Sequence, residues 1–220
     1  VNDLFPDTLP TDPLPDGVSH LQGYFSPSEQ AALVTAVAAA TRTAPFFQPR
    51  MPGTGTPTSV IMTNFGTLGW VASKTLGYRY QPTHPDTDTP WPPMPELLTR
   101  LWQDTADWPD LPECCLVNWY RPARAAKMGA HVDNDEHAAS APIVSVSLGD
   151  SATYRVGNLV RGGKTRPIPL HSGDVVILSG PSRQRYHAIS KVEWGTSDLL
   201  SETDFPGGGR LNLTLRRVMP

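Results

Sequence analysis

Apolar and polar residues follow two different periods along this chain, and the change comes near residue 114. Upstream, an Ala/Leu/Val run extends from Ala31 toward Thr41. Ser26-Pro27-Ser28-Glu29 precedes it, a capping box with proline at the first helical position, so a helix is predicted from Ser26 to about Thr41. A second helix is predicted from Pro95 to Asp107, with Leu97, Leu98, Leu101 and Trp102 on one face. From Cys114 onward the pattern shortens to runs of β-formers at 114–121, 143–148, 152–156, 174–179, 185–190 and 210–217. Earlier, 60–65 and 78–81 read as a pair of strands around Gly66 and Gly69. Two helices followed by many short strands predict an α+β protein, with the helices packed on an antiparallel sandwich or barrel.

Composition narrows this picture. At 220 residues the chain suits one domain, and its 39% apolar content excludes a disordered chain. The 24 prolines cluster at 6–15, 45–57 and 82–95, where regular structure is interrupted, and no flexible linker divides the chain. A single domain is therefore expected over 21–220, with 1–20 as an N-terminal extension. The longest small-apolar run, Ala31 to Ala40, is far short of the roughly 20 residues of a membrane span. The acidic, proline-rich start is unlike a signal peptide. Cys114 and Cys115 are adjacent, which disfavours a disulfide between them and suits a reducing cytoplasm. No membrane partner is expected.

The net charge of −3 argues on its face against nucleic acid. Its distribution is uneven: residues 151–220 carry ten Lys/Arg against five Asp/Glu, whereas residues 1–150 carry eight against sixteen. Any basic surface is therefore C-terminal and modest, which fits a salt-sensitive, weakly held polyanion better than a tight groove binder.

His131-Val132-Asp133 places a histidine and a carboxylate at i and i+2. On an extended strand these share a face, about 7 Å apart, so both can reach one ion. Two histidines and one carboxylate on one face of an octahedral metal form the facial triad of non-haem Fe(II) oxygenases. The triplet alone is weak evidence, because chance supplies roughly 0.4 copies in such a chain. A second copy, His84-Pro85-Asp86, lies in a Pro/Thr-rich stretch and reads as loop. For the third ligand there are three candidates: His137 in a polar loop, His171 before a Ser-Gly-Asp turn, and His187 in a plausible strand. His187 is the best placed.

Arg210-Leu211-Asn212-Leu213-Thr214-Leu215-Arg216 alternates strictly, with three leucines on one face and Arg210, Asn212, Thr214 and Arg216 on the other. Read alone, this is an amphipathic strand with its arginines in water. If the polar face lines a barrel, two guanidinium groups stand roughly 13 Å apart with an amide between them. Such a face suits a small dicarboxylate held at both ends by charge-assisted bonds. A facial-triad iron enzyme commonly uses an organic acid that chelates the metal and supplies two electrons, so the two features predict one another.

These segments closely resemble the AlkB-type iron(II)- and 2-oxoglutarate-dependent dioxygenases, which repair alkylated nucleobases. The resemblance covers about residues 58–218 and is nearest to the bacterial DNA-repair members. It runs through Met62-Thr63-Asn64-Phe65-Gly66, Leu68-Gly69-Trp70, Pro90-Trp91-Pro92, Asn118 with Tyr120, and His131 with Asp133-Asn134-Asp135-Glu136. It continues through Ala141 to Gly149, Gly173-Asp174-Val175-Val176, Tyr186-His187, and Arg210 with Asn212-Leu213-Thr214 and Arg216.

The resemblance implies a double-stranded β-helix, or jelly-roll barrel, buttressed by the N-terminal helices, with 58–82 as a nucleotide-recognition segment. It implies Fe(II) on His131, Asp133 and His187, and 2-oxoglutarate held by Arg210 and Arg216 with Asn118, Tyr120 and Asn212. With O2 as the third participant, the implied reaction is oxidative demethylation of bases such as 1-methyladenine and 3-methylcytosine, in DNA and by extension RNA, releasing formaldehyde and succinate. The substrate is then single-stranded or flipped out of a duplex, and the enzyme a monomer. Met62, Trp70, Tyr78, Asp135, Glu136 and Arg161 match positions at the substrate, with the acidic pair favouring a cationic methylated base.

Two departures from the family pattern stand out. The stretch 121–130 is about two residues longer and lacks the usual Pro-Gly. Arg185, two before His187, replaces an aromatic and brings a cation toward the expected metal site. Two other readings compete: a 2-oxoglutarate-dependent hydroxylase of a small molecule or protein side chain, and a non-enzymatic jelly-roll binding module. Trp70 and Tyr78 in segment 60–80 speak against the first, and the intact triad with both arginines against the second.

Overall fold

In the computed structural model, which describes residues 13–200 and 202–220, Ser26 caps helix α1 (Pro27–Ala40) as its sequence requires. The Ser26 amide donates to Glu29 Oε2 at 3.0 Å, and the Glu29 amide donates back to Ser26 Oγ. Helix α2 (Glu96–Thr105) starts after Pro95. Both helices turn their apolar stripes inward: Leu33, Val34 and Val37 from α1, and Leu98, Leu101 and Trp102 from α2, are buried in one cluster. Arg100 pairs with Glu29 across the exposed side of the two helices. Among the described residues no helix is long and apolar enough to cross a membrane.

The helices lie on a six-stranded antiparallel sheet. Its members are β1 (Val18–Leu21), β2 (Ile61–Gly66), β5 (Cys114–Tyr120), β7 (Ile143–Gly149), β10 (Val175–Leu178) and β12 (Arg210–Arg216). Their spatial order is β1-β10-β7-β12-β5-β2. A four-stranded sheet faces it, built from β6 (Met128–His131), β8 (Ser151–Val156), β9 (Arg166–Leu170) and β11 (His187–Glu193) in the order β6-β11-β8-β9. A separate hairpin pairs β3 (Gly69–Ser73) with β4 (Gly77–Gln81).

Register decides what each face of the large sheet carries. One row runs Thr63–Val117–Leu213–Val146–Val175 and packs beneath the helices. The adjacent row, Met62–Asn118–Asn212–Ser147, points the opposite way, toward the small sheet. The leucines of β12 are thus core to the helical layer, and its arginines are not in water: Arg210 is fully buried and Arg216 nearly so. Between the sheets, Ile143, Val176 and Leu178 meet Tyr154, Val156, Ile168 and Ile189 in a second core. Two antiparallel sheets face to face, with helices on the outer side of the larger, make the expected α+β jelly-roll.

Several expectations need correction. Segment 60–65 does not pair with 78–81; β2 joins the large sheet at β5, and the hairpin partner of β4 is β3. The two expected glycines mark close approaches instead. A Cβ on Gly66, whose φ is +114°, would sit 2.1 Å from the Glu113 carbonyl oxygen, and one on Gly69 would strike the Trp91 ring. The boundary drawn at residue 20 falls inside β1, which pairs with β10, so the domain begins earlier; residues 1–12 lie outside the described residues. Strands β1, β3, β6 and β9 lie outside the expected strands. β9 contains Pro167 and Pro169, which an edge strand tolerates because alternate N–H groups face solvent.

Candidate metal centre and active site

His131 ends β6 and His187 begins β11, and the two are cross-strand partners at one end of the small sheet. Their ring centroids lie 4.3 Å apart. Asp133, two residues beyond His131, brings its Oδ1 to 3.6 Å from His131 Nε2 and its Oδ2 to 3.5 Å from His187 Nε2. One ligand atom from each residue lies within 4.8 Å of the others. Each ring uses Nδ1 on a backbone carbonyl, His131 on Gly129 and His187 on Arg185. That tautomer leaves both Nε2 lone pairs turned to Asp133, as metal ligation needs. Burial and the neighbouring His187 ring push His131 down, toward the neutral form. Burial opposes ionisation of Asp133, but the Arg216 guanidinium and the two histidines together outweigh it and hold the carboxyl well below the usual range. Asp133 and His187 side chains are 6% and 9% exposed and His131 38%, so the cluster opens on the His131 side.

The centre lines a cavity of about 510 Å³ that also takes in Arg210, Asn118, Tyr120 and Asn212. Arg210 lies 5.1 Å over the Tyr120 ring and donates Nη2 to Ser147 Oγ at 2.9 Å. Its Nε and Nη1 are buried with no hydrogen-bond partner among the described residues. Burial pushes the Tyr120 phenol up to about 12 despite the adjacent guanidinium, so it stays protonated and can donate. Asn212 donates to Ser145 and Val146 and accepts from Thr214, which braces the row. Arg216 is placed differently from Arg210: it donates to Asp133 Oδ1 at 2.6 Å and to Glu136 Oε1 at 2.7 Å. The donor set suits a small divalent metal, and the two unpaired donors of Arg210 suit a carboxylate end of an organic acid.

At the mouth, Trp70 stacks on Tyr78 with centroids 5.3 Å apart and planes 25° from parallel. Trp70 Nε1 donates to Asp135 Oδ2 at 2.8 Å, tying the ring to the acidic turn. Met62, Trp70, Tyr78, Asp135 and Arg161 all line the cavity. Met62 is at the same time a core residue, 2% exposed. Glu136 requires correction as a substrate-facing group. Its side chain is fully buried behind the cavity wall, with its oxygens taken by Arg183, Arg216 and the Tyr80 hydroxyl. The Arg185 carbonyl meets His187 Nδ1, but its guanidinium is engaged elsewhere, donating to Ser182 Oγ and the Gly157 carbonyl.

The remaining histidines lie elsewhere, His20 beside Asp174 among them. His84 is buried, with Nε2 on the Pro45 carbonyl and Nδ1 accepting from Asp86 and Thr87 amides, so it organises a turn. His171 pairs with Ser151, and His137 is exposed. Both cysteines are free and buried, and burial lifts the Cys114 thiol to about 12. Three residues at the site carried no sequence signal: Arg183 in a turn, Tyr80 within the hairpin, and Tyr154, stacked 5.7 Å from His187. An arginine in a Gly-Pro-Ser turn reads as exposed, and only long-range packing reveals otherwise.

Comparison with known proteins places this geometry. The model of the 2OG-Fe(II) oxygenase superfamily matches residues 17–216. The chain is 46% identical over 196 residues to the alpha-ketoglutarate-dependent dioxygenase AlkB homolog of Caulobacter vibrioides (strain NA1000 / CB15N), covering 89% of this chain and 85% of that protein. It is 39% identical over 222 residues to the alpha-ketoglutarate-dependent dioxygenase AlkB of Escherichia coli (strain K12), covering 98% and 97%. Among solved structures it is similar to one described as "The structure of OsALKBH1", with TM-score 0.75 and 27% identity, over 94% of this chain and all of that one.

Proposed function

Because the chain belongs to the AlkB-type 2-oxoglutarate- and iron(II)-dependent oxygenases, we propose that it oxidatively demethylates N-alkylated nucleobases of the 1-methyladenine and 3-methylcytosine type. Formaldehyde is released as 2-oxoglutarate is decarboxylated to succinate. The observation that carries this reading is the convergence on one cavity of the His-Asp-His cluster, the unpaired donors of Arg210 and the Trp70–Asp135 pair.

His131, Asp133 and His187 would hold iron(II), which with 2-oxoglutarate and O2 supplies the oxidising power for a C–H bond. Arg210 binds one carboxylate end of the co-substrate, flanked by Asn118 and the Tyr120 hydroxyl. Arg216, with Asn212 braced beside it, keeps Asp133 ionised and aimed. Trp70 offers a stacking face to a base that is flipped out or single-stranded, because the target atom of a base stacked inside a duplex is out of reach. Asp135 gives Oδ2 to Trp70 and keeps Oδ1 for a cationic base or its exocyclic amine. Arg161 and Tyr78 at the mouth suit the strand's phosphates and sugars. Segment 58–82 supplies the recognition surface. The free, buried cysteines fit a reducing cytoplasm, and a monomer suffices because every site residue comes from this chain.

The test is incubation with Fe(II), 2-oxoglutarate and O2 on oligonucleotides bearing 3-methylcytosine, in paired DNA and RNA versions. Formaldehyde should appear in step with succinate, and Asp133→Ala should abolish both while the circular dichroism spectrum is kept. Absence of methyl loss would overturn the reading, and succinate without formaldehyde would assign the machinery to a small molecule or a protein side chain.

A further inference from the structure

Behind the cavity wall lies a second cluster of charges that the reaction as described does not use. Arg183 follows a short helical turn (Gly180–Ser182) and is four residues before His187. Its side chain is 4% exposed, and its three side-chain hydrogen bonds fall on the segment after His131. Nη1 donates to the Asp133 carbonyl, Nε to the Ala141 carbonyl, and Nη2 to Glu136 Oε2 at 2.9 Å. Glu136 returns its other oxygen to Arg216, and Arg216 grips Asp133 Oδ1. Two arginines and two carboxylates thus form a closed ring of bonds that begins on the backbone of Asp133 and ends on its carboxylate. Tyr80, from hairpin strand β4, donates to the same oxygen of Glu136 that Arg216 holds.

A surface staple would need only one of these bonds. Here every rotational freedom of the Asp133 side chain is addressed: Arg183 fixes its backbone, Arg216 fixes one oxygen, and Glu136 fixes Arg216. The other oxygen is left facing His187. Arg183 also joins the segment carrying Asp133 to the turn that leads into His187, so the two ligand-bearing segments cannot shift independently. Charge within the ring balances, which makes the burial of four ionised groups tolerable.

We propose that Arg183 and Glu136 are positioning residues of the metal centre, acting through Arg216 to set the orientation of the Asp133 carboxylate. This rests on the metal-binding reading above. Groups that orient metal ligands change affinity by roughly 10- to 100-fold when removed, whereas a loop staple changes only stability.

The full-length chain should be titrated with Co(II), following its visible absorption band and dissociation constant, with thermal unfolding measured in parallel. Arg183→Met and Glu136→Gln are expected to alter the band and weaken Co(II) binding by about 10-fold or more, with helical circular dichroism kept. Arg183→Lys should restore part of the affinity. An unchanged band and affinity in folded variants, with only a lower melting temperature, would overturn the proposal. Should Arg183→Met not fold, Glu136→Gln decides alone, since it is isosteric and can still accept from Tyr80. If wild type shows no band that His131→Ala removes, the metal-centre reading itself fails, a result separate from equal spectra in wild type and variants.

Discussion

Arg210 and Arg216 close the two ends of one strand and face one cavity, yet their electrostatic conditions are opposite. Arg216 lies between two carboxylates: burial would lower its pKa, but Asp133, the Tyr80 hydroxyl and Glu136 raise it well above the usual value. Among the described residues no carboxylate pairs with Arg210. It rests over the Tyr120 ring with one bond to Ser147, and burial lowers its pKa. A guanidinium stays charged in a protein, so Arg210 is a buried cation with two donors unanswered, at a cost of several kcal/mol. Two positions that are equivalent in the strand pattern have become an internal brace and a cation with donors left open to the cavity. What separates them is which residues other strands and loops bring to each.

The comparison can be broken first by stability. Arg216→Leu strands two buried carboxylates and should lower the unfolding free energy by about 3–5 kcal/mol. Arg210→Leu removes an unpaired charge, and without co-substrate its stability should stay within about 1 kcal/mol of wild type or rise. Urea unfolding of both variants measures this, and equal losses would show that the two arginines are not in opposite conditions.

A smaller effect sharpens the other half. Co-substrate at 100 times its dissociation constant should stabilise the metal-loaded wild type by about 2.7 kcal/mol. The same concentration should leave Arg210→Leu nearly unmoved in a thermal shift assay. A full shift in that variant would transfer the anchoring role elsewhere.

The smallest effect lies in pH. Burial raises the Asp133 and Glu136 carboxyls, but Arg216 together with the histidines at Asp133, and with Tyr80 and Arg183 at Glu136, outweighs it, and both sit below their ordinary values. Each therefore adds stability that is complete above the unfolded-state pKa, near 4, and is lost as pH falls through the depressed folded value. Metal-free protein should weaken progressively on acidification below about pH 4, and Glu136→Gln should weaken less steeply. Identical slopes would mean that Glu136 is not ionised in the ring.

Much of this was legible in the residues. The capping box at Ser26 and the leucine stripe of α2 located both helices, because those signals are local. The alternation of β12 was equally clear, but whether its arginines met water or a cavity depended on a second sheet. Strand β6 escaped because Met128-Gly129-Ala130-His131 has neither alternation nor β-branched residues; its partner β11 makes it a strand. Glu136 was misplaced for the same reason. Within its own turn it looks like a solvated acid, and the groups that bury it, Arg183 and Tyr80, lie 47 and 56 residues away. The ligands themselves were within reach, since His131 and Asp133 are neighbours in sequence and His187 stood in the more regular of three contexts.

Strand β1 is short, yet it determines how this chain can safely be trimmed. It covers β10 along Val175–Leu178, and His20 locks it through Nε2 to Asp174 at 2.9 Å. A version starting at residue 22 would retain every residue of the cavity and both helices. It would also uncover the backbone donors and acceptors of β10 as an open template for a strand from another molecule. Such a truncation would keep its chemistry in dilute solution and lose it to self-association as it is concentrated.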